Sequence, residues 1–277
     1  MNDTTIGFIG AGNMATSLIG GLIADGWPAQ RIYVSDPDAD QRAALVSNFQ
    51  IHSSADNLET VMAADVLVLA VKPQLLSQVC ATLADAVTQK NCLVISIAAG
   101  IRLDDLSQWL GQHRLLVRTM PNTPALVQSG ATALFADSSV DAQGRDLAET
   151  IMRAVGLTLW VQSEQQIDAV TAVSGSGPAY FFYVMEAMQA AAEELGLNSD
   201  DARLLTVQTA FGAAKMALES ADTPAQLRHK VTSPGGTTER ALSIMETAQL
   251  KATFLQALSG ARDRSIELAD MFGNSDE

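Results

Sequence analysis

Residues 4–15 constrain the fold of this chain more than any other stretch. Residues 4–9 (Thr-Thr-Ile-Gly-Phe-Ile) are apolar and β-branched, as a buried parallel strand requires. They run into Gly10-x-Gly12-x-x-Ala15, and an apolar helical run follows over 15–23. Gly10 permits a tight turn, Gly12 lets a pyrophosphate approach the backbone, and Ala15 keeps the helix close to the strand. Glycine turns after strands are common. This one heads a strand–helix–strand unit whose second strand, 31–35, ends on Asp36, and in that setting it reads as a dinucleotide loop.

The alternation continues. A strand over 66–71 is stopped by Pro73, a helix runs to Val87, and a strand follows over 93–97. A helix at 103–110 precedes a strand at 115–119. Strand-like runs at 131–136 and 157–161 flank a helix at 142–155 and extend the sheet. Elements of this length in this order predict an α/β fold, a Rossmann-like, doubly wound and mostly parallel sheet.

After residue 163 strand signals stop. Helical segments rich in Ala, Leu and Met take over at 164–173, 178–195, 200–219, 223–231, 237–247 and 250–271, and residues 273–277 read as a frayed tail. Two domains are therefore expected, 1–162 and an all-α region, 163–277. Helices apolar around much of their circumference, as at 187–192 and 210–217, need burial on more than one side. About 115 residues offer little interior. The expected partner is a second subunit, although a compact monomeric bundle has the same pattern.

Three loops lie at predicted strand ends, where open α/β sheets bind ligands: Ala70-Val71-Lys72-Pro73, Ala98-Ala99-Gly100 and Met120-Pro121-Asn122-Thr123-Pro124. Lys72 stands alone in apolar surroundings, which favours a cofactor contact over a surface ion pair. The 120–124 loop could wall a nicotinamide pocket; a rigid proline turn has the same composition. The candidate cofactor-binding set is Ile9, Gly10, Ala11, Gly12, Asn13, Met14, Ser35, Asp36, Ala70, Val71, Lys72, Pro73, Ala98 and Ala99. Asp36 bears on cofactor choice, because a carboxylate there accepts from the ribose diol of NADH and repels the 2′-phosphate of NADPH. No Arg follows at once: Asp38 and Asp40 come before Arg42.

The second glycine loop lies near the other end of the chain, at 231–242 (Val-Thr-Ser-Pro-Gly-Gly-Thr-Thr-Glu-Arg-Ala-Leu). Two adjacent glycines feed a helix N-terminus, with hydroxyls from Thr232, Ser233, Thr237 and Thr238 around the turn. Unpaired N–H groups and the helix dipole make such a turn an anion site. A plain helix cap uses the same residues.

Net charge is −14 with only 17 Lys and Arg and no dense basic run, which excludes nucleic acid and anionic membrane surfaces as expected partners. No apolar stretch is long enough to span a bilayer. Cys80 and Cys92 match no metal spacing and, with no secretory leader evident, predict a reducing, cytoplasmic setting. No Ser/His/Asp order, metal-ligand set or close carboxylate pair is apparent, and His52, His113 and His229 are scattered. A hydroxy-acid dehydrogenase needs Lys or His to move the hydroxyl proton. A protonated imine is already an electrophile and chiefly needs orienting against the nicotinamide. The missing base points toward C=N reduction.

Together these segments resemble the pyrroline-5-carboxylate reductase family over almost the whole chain: the N-terminal loop, the 70–73 loop, Ser96-Ile97-Ala98-Ala99-Gly100, the 120–124 loop, Val173-Ser-Gly-Ser-Gly-Pro-Ala-Tyr180 and, most specifically, the 231–242 turn. The resemblance implies a Rossmann domain followed by a helical dimerisation and substrate domain. It implies a homodimer that completes the active site across its subunits, and leaves assembly beyond the dimer open. It implies hydride transfer from NADPH or NADH to the C=N carbon of 1-pyrroline-5-carboxylate, the last step of proline biosynthesis. On this likeness Ser233, Gly235, Gly236, Thr237 and Thr238 bind the substrate carboxylate, Thr238 acts near the ring nitrogen as the catalytic position, and Asn57 joins Lys72 and Ala98 along the cofactor groove. The family mostly prefers NADPH, and Asp36 departs from that pattern. Other reductases on the same scaffold, imine reductases or deazaflavin-linked NADP reductases, share the first loop and lack the second.

Overall fold

A computed structural model describes residues 3–273. Eight strands form one sheet: β1 (Ile6–Ile9), β2 (Ile32–Ser35), β3 (His52–Ser54), β4 (Val66–Leu69), β5 (Leu93–Ser96), β6 (Leu116–Met120), β7 (Gly130–Ala136) and β8 (Gly156–Trp160). Their order is β3-β2-β1-β4-β5-β6-β7-β8. All neighbouring pairs are parallel except β6 with β7, which run antiparallel. The order reverses between β1 and β4, the place where such sheets bind ligands beyond their carboxyl ends.

Alternate strand residues enter opposite cores, as the two-residue period demands. Ile6, Phe8, Val66 and Val68 pack on one side with α1 (Asn13–Ala24) and α6 (Ala142–Arg153). Ile9, Leu67 and Leu69 pack on the other with α3 (Asn57–Ala63), α4 (Pro73–Lys90) and α5 (Leu103–Trp109). Local chemistry sets the helix ends. Asp38 caps α2 (Ala39–Phe49) by accepting from Asp40 and Gln41 N–H, Pro73 opens α4 at its first turn, and Asn91 ends α4 in the left-handed region.

The remaining helices are α7 (Gln166–Val170), α8 (Gly177–Glu194), α9 (Ser199–Glu219), α10 (Pro224–Lys230), α11 (Thr237–Thr247) and α12 (Leu250–Gly273). A π-helical turn, Thr171–Gly175, follows α7. Gly273, expected to begin the frayed tail, is the last residue of α12, and the rest of that expected tail, 274–277, lies outside the described residues. The chain forms two compact units. One contains the sheet, ends at Ser176 and resumes at Gly260; the other is Gly177–Ser259. Within the second, α8 packs on α9, whose buried residues are Ala202 and Thr206. Phe181, Phe182 and Tyr183 of α8 are 67%, 64% and 73% exposed. Among the described residues, no helix is long and apolar enough to cross a membrane.

Candidate active site

The first glycine loop leaves β1 between the exits of β2 and β4. Gly10 has φ +103°, and a Cβ there would stand 2.6 Å from the Ala70 carbonyl oxygen, so both its conformation and its surroundings require glycine. Its N–H donates to the Ser35 carbonyl at 2.7 Å, and Ala70 N–H donates to Ile9 at 2.8 Å. Gly12 is exposed, and a Cβ there would meet nothing within 4 Å. It caps α1 with no side-chain hydrogen bond, and no acid lies in the first turn. The first N–H groups of α1 are thus left open for an anion. Ala15 is buried, as close packing of α1 on the sheet needs. These features fit a dinucleotide pyrophosphate.

Asp36 sits directly after β2. Its Oδ2 accepts Ala11 N–H and its Oδ1 accepts Asp38 N–H, both at 2.8 Å. The carboxylate therefore braces the loop. Arg42, remote from Asp36 in sequence, returns on α2 so that Nη1 donates to the Asp36 carbonyl at 2.6 Å. No arginine follows Asp36 at once in the chain, but six residues become one side chain's reach once helix α2 starts at Ala39.

The other expected cofactor residues fall on the same sheet edge with different means of contact. Ile9, Ala11, Ser35 and Ala98 have buried side chains, so they present backbone. Ser35 does so through the carbonyl that holds Gly10. Met14 packs against the core, while Asn13 and Ala99 are exposed. Asn57 opens α3, just after the cap Asp56. Val71 is half-buried and packs on the core shared with α3, α4 and α5. Lys72 is exposed at the N-cap of α4, before Pro73, and makes no ion pair among the described residues.

The 120–124 loop is stapled by Asn122, a role the sequence does not reveal. Its Nδ2 donates to Ser174 O at 3.2 Å and Ser174 Oγ at 3.1 Å, and its Oδ1 accepts Ala131 N–H at 2.9 Å. A second unforeseen network holds α7 to the sheet. Arg118, buried in β6, donates from Nη1 to Glu164 at 2.9 Å, and Glu164 also accepts Leu103 N–H. Asp168 accepts from Ser265 of α12 at 2.8 Å.

In the other unit, the second glycine loop joins α10 to α11. Gly235 turns the chain at φ +70°, and Gly236 caps α11 with no side-chain hydrogen bond. The Gly235 N–H, expected to face a substrate, donates to Glu239 Oε2 at 2.7 Å, and the Gly236 N–H donates to Ser233 O at 3.0 Å. That leaves the first-turn N–H groups of Thr237 and Thr238 for a ligand. The hydroxyls of Ser233, Thr237 and Thr238 make no hydrogen bond among the described residues, whereas Thr232 donates to Arg228. His229 is exposed on α10.

The pyrroline-5-carboxylate reductase of Pseudomonas aeruginosa is 53% identical over 273 residues, covering 99% of this chain and 100% of its own. The chain belongs to the pyrroline-5-carboxylate reductase family. The profile for pyrroline-5-carboxylate reductase dimerisation matches residues 164–268, and that for NADP oxidoreductase, coenzyme F420-dependent, matches residues 5–100. The family enzyme of Coxiella burnetii, a solved structure, is 48% identical with a TM-score of 0.92, covering 96% of this chain and 98% of its own. That of Plasmodium falciparum, solved with NADP bound, is 26% identical with a TM-score of 0.85, covering 97% and 99%. The family carries an NAD(P)H-dependent oxidoreductase activity on a cyclic imine.

Proposed function

We propose that the two glycine loops divide the work of pyrroline-5-carboxylate reduction. The loop at 10–15, with Asp36, Asn57, Lys72 and the 70–73 and 98–99 backbones, holds the dinucleotide; the turn at 233–238 holds the substrate. A bound nicotinamide dinucleotide supplies the hydride for the C=N carbon, giving L-proline. The observation that carries the substrate assignment is the open first turn of α11, where two N–H groups and three hydroxyls are without internal partners. Hydrogen bonds to a charged group contribute roughly 1.5–3 kcal/mol each, so several hold one carboxylate without an arginine in this acidic protein. Thr238 is too weak an acid to protonate the ring nitrogen unaided. It orients the imine, or relays a proton through water.

Thr238→Ala tests this. Turnover of pyrroline carboxylate is expected to fall about tenfold or more, the effect of removing one aligned hydrogen bond to the reacting group, while the dissociation constant for NADP⁺ stays unchanged. Parallel losses in both would show that the residue supports the fold instead.

Several finer readings go with this one. NADH is used well, because Asp36 keeps lone pairs free for a ribose diol. The functional boundary lies at 162/163, supported by the start of the dimerisation match at residue 164. The chain works as a homodimer that buries the exposed aromatics of α8, and such dimers can assemble further. Two free, buried thiols support a cytoplasmic setting: burial alone pushes Cys80 up to about 12, and burial dominates in raising Cys92 to about 11.

A further inference from the structure

Asp36 alone describes a site that favours NADH, yet beside it stands a cation, Arg42, that makes no ion pair among the described residues. We propose that Arg42 is a specificity-determining residue that lets this chain accept the 2′-phosphate of NADPH beside Asp36, so that both dinucleotides bind. The inference rests on the reading that the 10–15 loop holds a dinucleotide, and it assigns the adenosine end of that site.

In a sheet of this kind the adenosine ribose lies at the end of β2, and a 2′-phosphate projects toward the residues that follow it. Three carboxylates stand there, Asp36, Asp38 and Asp40, against the single cation Arg42. Two of the three already accept backbone N–H groups. Both Asp36 oxygens take N–H groups, from Ala11 and Asp38. Asp38 caps α2, accepting from Asp40 N–H at 2.9 Å and Gln41 N–H at 3.2 Å. Those hydrogen bonds, with a smaller attraction from Arg42, hold its carboxyl below the usual range. Their negative charge is thus partly compensated before any ligand arrives.

Arg42 is held in place without being used up. Its backbone N–H joins the first turn of α2 through Asp38 O at 3.2 Å, and Nη1 is fixed on the Asp36 carbonyl. Among the described residues it makes no ion pair, and Nε and Nη2 have no partner. A half-buried guanidinium, pinned by one corner at the end of β2 with the rest of its fork free, is the donor geometry that suits a phosphate monoester. Without Arg42 a 2′-phosphate would face only like charge.

Titration calorimetry on the full chain tests this with two probes that differ only in the phosphate and cannot turn over: 2′-phospho-ADP-ribose and ADP-ribose. The unaltered protein is expected to bind both. Arg42→Gln should weaken 2′-phospho-ADP-ribose by about tenfold or more and move ADP-ribose by less than about twofold, which also shows that the variant is folded. Arg42→Lys should recover part of the loss, since it restores charge without the fork. Equal weakening of both probes, or none, would overturn the assignment. Failure of the unaltered protein to bind either probe would instead remove the dinucleotide reading of the 10–15 loop, and this inference with it.

Discussion

Gly10 and Gly12 stand two residues apart and do opposite things. Gly10 is needed by the protein: its left-handed backbone and its close approach to Ala70 leave no room for a side chain. Gly12 has an ordinary extended backbone, φ −69° and ψ 178°, and open space where a Cβ would point. Neither its conformation nor its packing demands glycine there, as the proposed approach of a pyrophosphate predicts. Gly10→Ala should therefore cost about 2 kcal/mol or more in urea unfolding, from the positive φ and the clash together. Gly12→Ser should unfold at the same urea concentration to within about 0.5 kcal/mol, since Ser caps helices well, yet bind NADP⁺ at least about tenfold more weakly. Loss of stability without loss of affinity at Gly12 would mean that the residue serves the fold. Arg42 belongs at the same scale. A helix start at Ala39, set by the Asp38 cap, converts a sequence separation of six into a contact with Asp36.

At the scale of elements, the sequence was legible wherever a period or a cap marks the boundary. The helices of the second unit follow the expected segments closely, because Pro224, the Asn198 cap and the Gly235-Gly236 turn delimit them. The short strand His52–Ser54 was missed: its three residues are polar and lie at the sheet edge, so no apolar run announces it. The antiparallel direction of β7 was also invisible, since a chain that passes through a 3₁₀ turn at Thr123–Val127 can re-enter the sheet either way. The two glycine loops were readable because their chemistry is contained in consecutive residues. Asn122 was not, because its partner Ser174 lies 52 residues away. Asn122→Ala should remove three hydrogen bonds and strand the Ala131 N–H, lowering the unfolding free energy by about 2–3 kcal/mol. Urea unfolding read at more than one wavelength measures this. A change below about 0.5 kcal/mol would show that the staple contributes nothing.

For the whole molecule, the exposed apolar residues of the second unit are the strongest constraint. Phe181, Phe182 and Tyr183 are joined in exposure by Leu204, Leu205 and Phe211 of α9, and a monomer rarely leaves so much apolar surface in water. Sedimentation equilibrium should return twice the 29.3 kDa chain mass or an even multiple of it, and a monomer at micromolar concentration would contradict the dimer. The account depends most on the pairing of the two glycine loops in one working site. The direct measurement is a crystal structure of the assembled protein grown with NADP⁺ and L-proline. We expect the pyrophosphate against Gly12 and the N-terminus of α1, and the proline carboxylate on the N–H groups of Thr237 and Thr238. The nicotinamide C4 should lie roughly 3–3.5 Å from the proline ring carbon next to nitrogen, the spacing of a near-attack arrangement. Proline bound away from residues 233–238, or a carbon-to-carbon separation too great for hydride transfer both within and between subunits, would contradict it.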